Sequence, residues 1–164
     1  FLIPTRKRVI YLKNSINSIL ENLEDTSKVE LIFRIDDDDA DTINSIYTLP
    51  FDKLYINGKN TFKEKSPIYD KYVDMHFTIG PRGDGYQDLN KYVNDMHKLS
   101  TGKWLFLCSD DVEMLSNDWY QQVERLDSLK KVLVAKLTTW NICLIPRTIP
   151  DLWGYICPNL WTDL

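Results

Sequence analysis

"VELIFRIDDDDADT", residues 29–42, passes from an apolar run almost directly into Asp36, Asp37, Asp38, Asp39 and Asp41. The run "VELIF" reads as a buried β-strand, so the carboxylates crowd at the end of that strand. Two carboxylates about 5 Å apart repel by roughly 3 kcal/mol at an effective dielectric near 20. Such a cluster needs water, hydrogen-bond donors or a cation, and what satisfies it depends on what the fold brings to the strand end.

Working outward, short apolar runs alternate with segments of helical period, the pattern of a βαβ protein with a largely parallel sheet. "FLIP" reads as a first strand, ended by Pro4, and Val9, Leu12, Ile16, Ile19 and Leu23 recur at helical steps behind it. "ADTINSIY" reads as a short helix for which Asp39 is a natural N-cap, with Asp38 and Asp41 as solvated turn residues. "KLYIN" and "MHFTIG" read as two more strands. Leu89, Tyr92, Val93, Met96 and Leu99 mark a helix stopped by "STG", where Gly102 suits a C-terminal cap. "KWLFLC" is the clearest buried strand, followed at once by "SDD"; Trp119, Val123 and Leu126 suggest another helix and "KVLVAKL" another strand. The Trp- and Pro-rich segment from Thr138 to Leu164 carries no clear period. No repeat, low-complexity tract or linker interrupts residues 1–164, which read as one domain.

Bulk properties narrow the function classes. At 43% hydrophobic and 12% aromatic residues the composition is that of a folded protein, and a net charge of −4 argues against a general nucleic-acid binder. The basic stretch "RKR", residues 6–8, reads as a solvated helix end. Cys108, Cys143 and Cys157 are odd in number and lack metal-ligand spacing, which reads as free thiols in a reducing, cytoplasmic compartment. No run approaches the length of a membrane span and no signal peptide is present. The chain opens at Phe1 inside a strand-like run and stops at "WTDL", so it reads as a core cut at both ends, any membrane attachment lying in missing segments.

In open α/β sheets, ligands bind outside the carboxyl ends of the strands. Four signals fall at strand ends: "PTRKR", "RIDDDDAD", "GPRGDGY" and "CSDD". A calcium loop is one reading of the second, since Asp37, Asp39 and Asp41 match the first three ligands of an EF-hand; it fails because Thr42 stands at the glycine position and Thr48 at the bidentate Glu position. No "GxSxG" elbow appears, Cys108 reads as a small buried hydrophobe, and neither His76 nor His97 has the setting of a metal ligand.

Taken in order, the "PTR" loop, the strand ending in Asp-Asp, the Gly/Arg segment before a helix containing "LN", and "TGKWLFLCSDDVEM" resemble a nucleotide-sugar-dependent glycosyltransferase of the GT-A fold, family 2 in particular. The resemblance covers nearly the whole chain. It implies a Rossmann-like three-layer α/β/α sandwich with a mostly parallel central sheet. It implies that Pro4, Thr5 and Arg6 wrap the nucleotide base, that Asp36 and Asp37 hold base and ribose, that Arg82 approaches the diphosphate, and that Asn90 matches an Asn on the following helix. Ser109, Asp110 and Asp111 fall at the DxD position, with Ser in place of the leading Asp; Asp110 then faces the ribose, and Asp111, with Asp110 beside it, the divalent metal, Mn²⁺ or Mg²⁺. Inverting transfer needs a base on the acceptor hydroxyl, and the matching candidates are Asp163 first and Asp151 second, with Trp153, Tyr155 and Trp161 placed to stack on a sugar. The implied activity is transfer from a nucleotide-diphosphate sugar, a UDP-sugar foremost, to a saccharide or lipid-linked acceptor in polysaccharide biosynthesis. Two alternatives stay open: a catalytically inactive nucleotide-binding or scaffold domain, and a nucleotidyltransferase of related fold, although "FLIPTRKR" has no glycine for a phosphate loop.

Overall fold

A computed structural model of the chain describes residues 1–61, 68–128, 135–136 and 143–157. The elements in order are β1 (Leu2–Thr5), α1 (Val9–Glu21), β2 (Glu30–Asp36), α2 (Ala40–Ser45), β3 (Phe51–Ile56), β4 (Lys59–Asn60), β5 (Val73–Gly80), α3 (Leu89–Leu99), β6 (Trp104–Leu107), α4 (Trp119–Ser128), β7 (Ala135–Lys136), β8 (Cys143–Pro146) and α5 (Thr148–Trp153). All the strands join one sheet in the order β4-β3-β5-β2-β1-β6-β8-β7.

The five inner strands β3, β5, β2, β1 and β6 run parallel. The sheet is nonetheless mixed, because β4 at one edge and β8 and β7 at the other pair antiparallel. The expectation of a mostly parallel sheet therefore holds for the centre and is corrected at the edges. At the first edge the cause is local. Asn57 and Gly58 both take positive φ, 48° and 75°, the twist of a two-residue hairpin, and so short a connection can only join antiparallel strands. At the other edge β8 returns between β6 and β7, inside the segment that carries no readable period.

Alternation along the inner strands divides the core into two layers. Ile3, Leu31, Phe33, Ile35 and Phe106 pack with Leu12, Ile16, Ile19 and Leu20 of α1, and Trp119, Val123 and Leu126 of α4 join the same side. Leu2, Ile32 and Leu105 pack with Val93 and Met96 of α3 on the opposite face. Helices thus cover both faces, as a parallel sheet requires. Phe33 and Phe77 stack across β2 and β5 with ring centroids 4.7 Å apart.

Two local expectations change. Gly102 does not cap α3; Ser100 does, in extended conformation, while the Gly102 N–H donates to Glu30 (2.8 Å) at the start of β2. Asp39 is the N-cap of α2 as expected, accepting from the Thr42 N–H at 3.2 Å, but it is not solvated: only 1% of it is exposed. Its other oxygen takes the backbone N–H of Lys7 at 2.6 Å, so one carboxylate ties the start of α2 to the loop after β1. That tie stabilises a residue held at φ 53°, a region L-residues avoid.

Asp39→Ala removes both acceptors and is expected to lower unfolding stability by about 1–3 kcal/mol, whereas Asp37→Ala, on an exposed side chain, should stay within about 0.5 kcal/mol of the parent. Urea midpoints of the two variants check this directly.

Candidate functional site

β1 is where strand order reverses, with β2 on one side and β6 on the other. The crevice at such a reversal is where open α/β sheets take their ligands. Three chain segments leave the sheet there: Thr5–Arg8 from β1, Asp36–Asp39 from β2 and Cys108–Asp111 from β6. The β1 loop lies between the two acidic turns and contacts both.

On the β2 side, Arg6 donates to Asp36 at 2.8 Å and grips both oxygens of Asp38, one of them at 2.8 Å. On the β6 side, the Thr5 hydroxyl donates to Asp110 at 2.7 Å. Arg8 spans both neighbours there, 2.9 Å from Asp110 and 2.7 Å from Asp111. Arg6 and Arg8 are therefore paired to the two acidic turns, which corrects the reading of "RKR" as a solvated helix end. The α1 helix begins just beyond Arg8 with no side-chain cap and no acidic residue in its first turn, so its amino end adds partial positive charge to the same place.

The carboxylates of this site differ in setting. Asp110 is 2% exposed; burial pushes its carboxyl above the usual range, against the pull of the Thr5 hydroxyl and Arg8. Asp111 is exposed, and the Ser109 hydroxyl and Arg8 hold it below that range. The bidentate grip of Arg6 holds Asp38 down as well. Burial raises Asp39, but the hydrogen bonds from Thr42 and the Lys7 N–H outweigh it and bring it lower. The Cys108 thiol, buried behind the β6 turn, is pushed up to about 12 by burial, and is inert at neutral pH.

Arg34 is a further functional candidate. It is 5% exposed, donates to the Ile35 carbonyl and, at 2.8 Å, to the Pro81 carbonyl, and stands 3.5 Å from Asp36. Its guanidinium lies 4.5 Å over the Tyr92 ring of α3. It fastens the 80–83 segment to the β2 end, and the Gly83 N–H completes the junction by donating to the Tyr92 hydroxyl at 2.9 Å. Any side chain at Gly83 would run into Tyr92 and the Asp88 carboxylate.

Most of the residues named from sequence meet at this edge. Pro4 is in β1 opposite Arg34; Thr5, Arg6, Asp36, Asp110 and Asp111 are placed as above. Asp37 points outward beside them, its N–H bonded to Gly80. Arg82 is largely exposed and 4.0 Å from Asp38, and Asn90 is buried in the first turn of α3. Asp151 is not among them. It pairs with Arg147 and faces His97 at 3.3 Å, near the start of β6, because β8 runs antiparallel to β6 and delivers α5 to the opposite edge of the sheet. Trp153 and Tyr155, their ring centroids 6.4 Å apart, follow Asp151 on that chain segment. Asp163 and Trp161 lie outside the described residues. His76 stacks on Tyr55 at 4.4 Å and His97 sits with Asp151, both remote from the acidic turns.

The described residues also line a hollow at the amino ends of the strands, bordered in part by Lys28, Glu30, Lys53, Asp74, Lys103 and Glu124. Three ion pairs cross its rim, Lys28 with Glu124, Lys53 with Asp74 and Lys103 with Asp127, and Glu24, Glu30, Asp52, Asp70 and Lys71 line it besides, which leaves the lining net acidic. Among the described residues no three His, Cys, Asp or Glu side chains gather as a closed metal site, and no helix is long and apolar enough to cross a membrane. Compared with models of protein families, with curated proteins and with solved structures, the chain matches none.

The two neighbouring carboxylates should titrate with opposite effect on stability. Asp111, lowered by folding, contributes stability that is complete above the ordinary value near 3.9 and lost as pH falls through the folded value. Asp110, raised by burial, makes the folded state lose stability as pH climbs from the ordinary value through the folded one. Urea unfolding from about pH 2.5 to 7 should therefore show the parent gaining on Asp111→Asn with rising pH and losing on Asp110→Asn; slopes of one sign at both positions contradict the assignment.

Proposed function

We propose that the chain is the core of a metal-dependent glycosyltransferase of the GT-A type, taking a nucleotide-diphosphate sugar, a UDP-sugar foremost, as donor. One observation carries the reading: the acidic ends of β2 and β6 face the same loop across β1, so that a single ligand can touch Asp36 and Asp110 together. A nucleoside carries donors for both. Asp36 and Asp37 are hydrogen-bond acceptors for a base N–H and ribose hydroxyls, Thr5 and Arg6 form the intervening wall, and Asp110 accepts from the ribose. Arg82, exposed on the 80–83 segment, is free to swing toward the diphosphate, where its planar fork suits paired phosphate oxygens.

The donor set at the β6 turn suits Mg²⁺ or Mn²⁺, hard cations that commonly take one or two carboxylates and complete their shell with phosphate oxygens and water. The Arg8 guanidinium, seated between Asp110 and Asp111, shows that the pair accepts a positive charge. When bound, the cation would offset charge developing on the departing diphosphate. Asp111, the more exposed of the two, is the principal ligand and Asp110 the second. Asp163 remains the candidate base for an inverting displacement on a saccharide or lipid-linked acceptor; Asp151, at the opposite edge, does not fit that role. The buried, unreactive Cys108 and the free thiols of Cys143 and Cys157 accord with a reducing cytoplasmic setting.

A second reading, a nucleotide-binding domain without catalysis, draws on Ser109 in the leading DxD position and on Arg8 already holding both carboxylates. The two readings part in one pair of measurements. Thermal shift with UDP, GDP and CMP, each with and without Mn²⁺, should show stabilisation by UDP that requires the metal, about 2.7 kcal/mol at 100 times Kd. Hydrolysis of UDP-sugars then marks the enzyme, and binding without hydrolysis the inactive domain. Asp111→Asn should remove the metal-dependent part of the shift, read against the variant's own melting point without ligand; an unchanged metal response moves the cation elsewhere, and response to no nucleotide ends both readings.

A further inference from the structure

Arg8 stands where a cation is called for. Its two terminal nitrogens contact two different carboxylates, Asp110 at 2.9 Å and Asp111 at 2.7 Å. It is also open to solvent. Its side chain is 38% exposed, it is the residue after Lys7 at φ 53°, and its guanidinium lies 4.7 Å over the ring of Tyr11, itself 54% exposed. Tyr11 thus flanks the guanidinium while it holds the carboxylate pair, leaving it bounded on that side by an exposed side chain. Asp110, by contrast, is held in place by Thr5 at 2.7 Å.

We propose that Arg8 and a divalent cation compete for the Asp110–Asp111 carboxylates, so that the cation enters only as Arg8 withdraws. The inference rests on the sugar-transfer reading in taking the competitor to be a hard divalent ion. Both cannot be accommodated: a metal at ordinary oxygen distances of about 2.0–2.6 Å would sit in the space the guanidinium fills, with like charges in contact. The free chain therefore binds such a cation weakly. An anionic ligand that draws the released Arg8 toward itself raises cation affinity, and by linkage the cation raises the affinity for that ligand equally. Arg8 thus acts as a positioning residue that makes the two bind together.

The test uses the full chain and MnCl₂ alone, free Mn²⁺ being followed by its electron paramagnetic resonance signal. Arg8→Gln should bind Mn²⁺ roughly five- to tenfold more tightly than the parent, between the upper value for an exposed ion pair and the lower value for a charge-assisted hydrogen bond. Arg6→Gln, which removes the same charge from the same loop but faces Asp36 and Asp38, should gain clearly less. The double variant Arg8→Gln/Asp111→Asn should lose the gain. If Arg8→Gln fails to fold, Arg8→Lys, which keeps the charge but lacks the rigid fork of two terminal nitrogens, should show a smaller gain of the same sign. No gain at position 8, an equal gain at position 6, or no Mn²⁺ binding by any of them overturns the proposal. Because no nucleotide is present, a chain that ignores every nucleotide yet shows the position-8 gain would count against sugar transfer and leave the competition standing.

Discussion

Carboxylates crowd both flanks of β1 at its carboxyl end, and the loop leaving that strand carries the groups that answer them. Arg6 takes Asp36 and Asp38, the Lys7 N–H takes Asp39, and Arg8 with Thr5 takes Asp110 and Asp111. The sheet order makes this unavoidable, since β1 is the one strand between β2 and β6. Charges that would repel across a few ångströms are held instead in a network buried at Asp36, Asp39 and Asp110 and open to water at Asp38, Asp111 and Arg8, and the pairings at its buried members are worth more than on an open surface. The four residues from Thr5 to Arg8 therefore serve both stability and binding, and a ligand entering the crevice has to exchange with some of these contacts.

That dual role explains why five carboxylates sit in one short run. They do three different things. Asp36 and Asp38 pair with Arg6, Asp39 is a buried structural tie between α2 and the β1 loop, and Asp37 and Asp41 are exposed. The run is not one acidic surface but a series in which adjacent residues face different partners, as extended and turn backbone alternately direct side chains apart. Arg34, on the α3 face of β2, fastens the Pro81–Gly83 segment over the same edge.

How much of this was legible in the sequence follows from range. Periodic segments were readable because burial writes itself into local spacing: the inner strands and α1 and α3 appear where the apolar periods put them, α3 at the same bounds, Leu89–Leu99. The acidic strand ends were readable too, since a strand end and a carboxylate are adjacent in the chain. Arg8 was not, because its partners are more than a hundred residues away and a short basic run looks the same whether solvated or paired. Arg34 hides inside an apolar strand and is explained only by Tyr92 from another helix. Asp151 was misplaced because nothing local says that β8 runs antiparallel to β6 and carries α5 to the far edge.

The central claim is that the two acidic turns and the loop between them form one ligand crevice. Paramagnetic broadening of backbone amides by substoichiometric Mn²⁺ in the presence of UDP measures this most directly. The account predicts that amides of residues 5–8, 36–39 and 109–112 fade together, while those at the amino ends of the strands persist. Broadening confined to one acidic turn, or centred on the hollow beside Lys28 and Lys103, would contradict it.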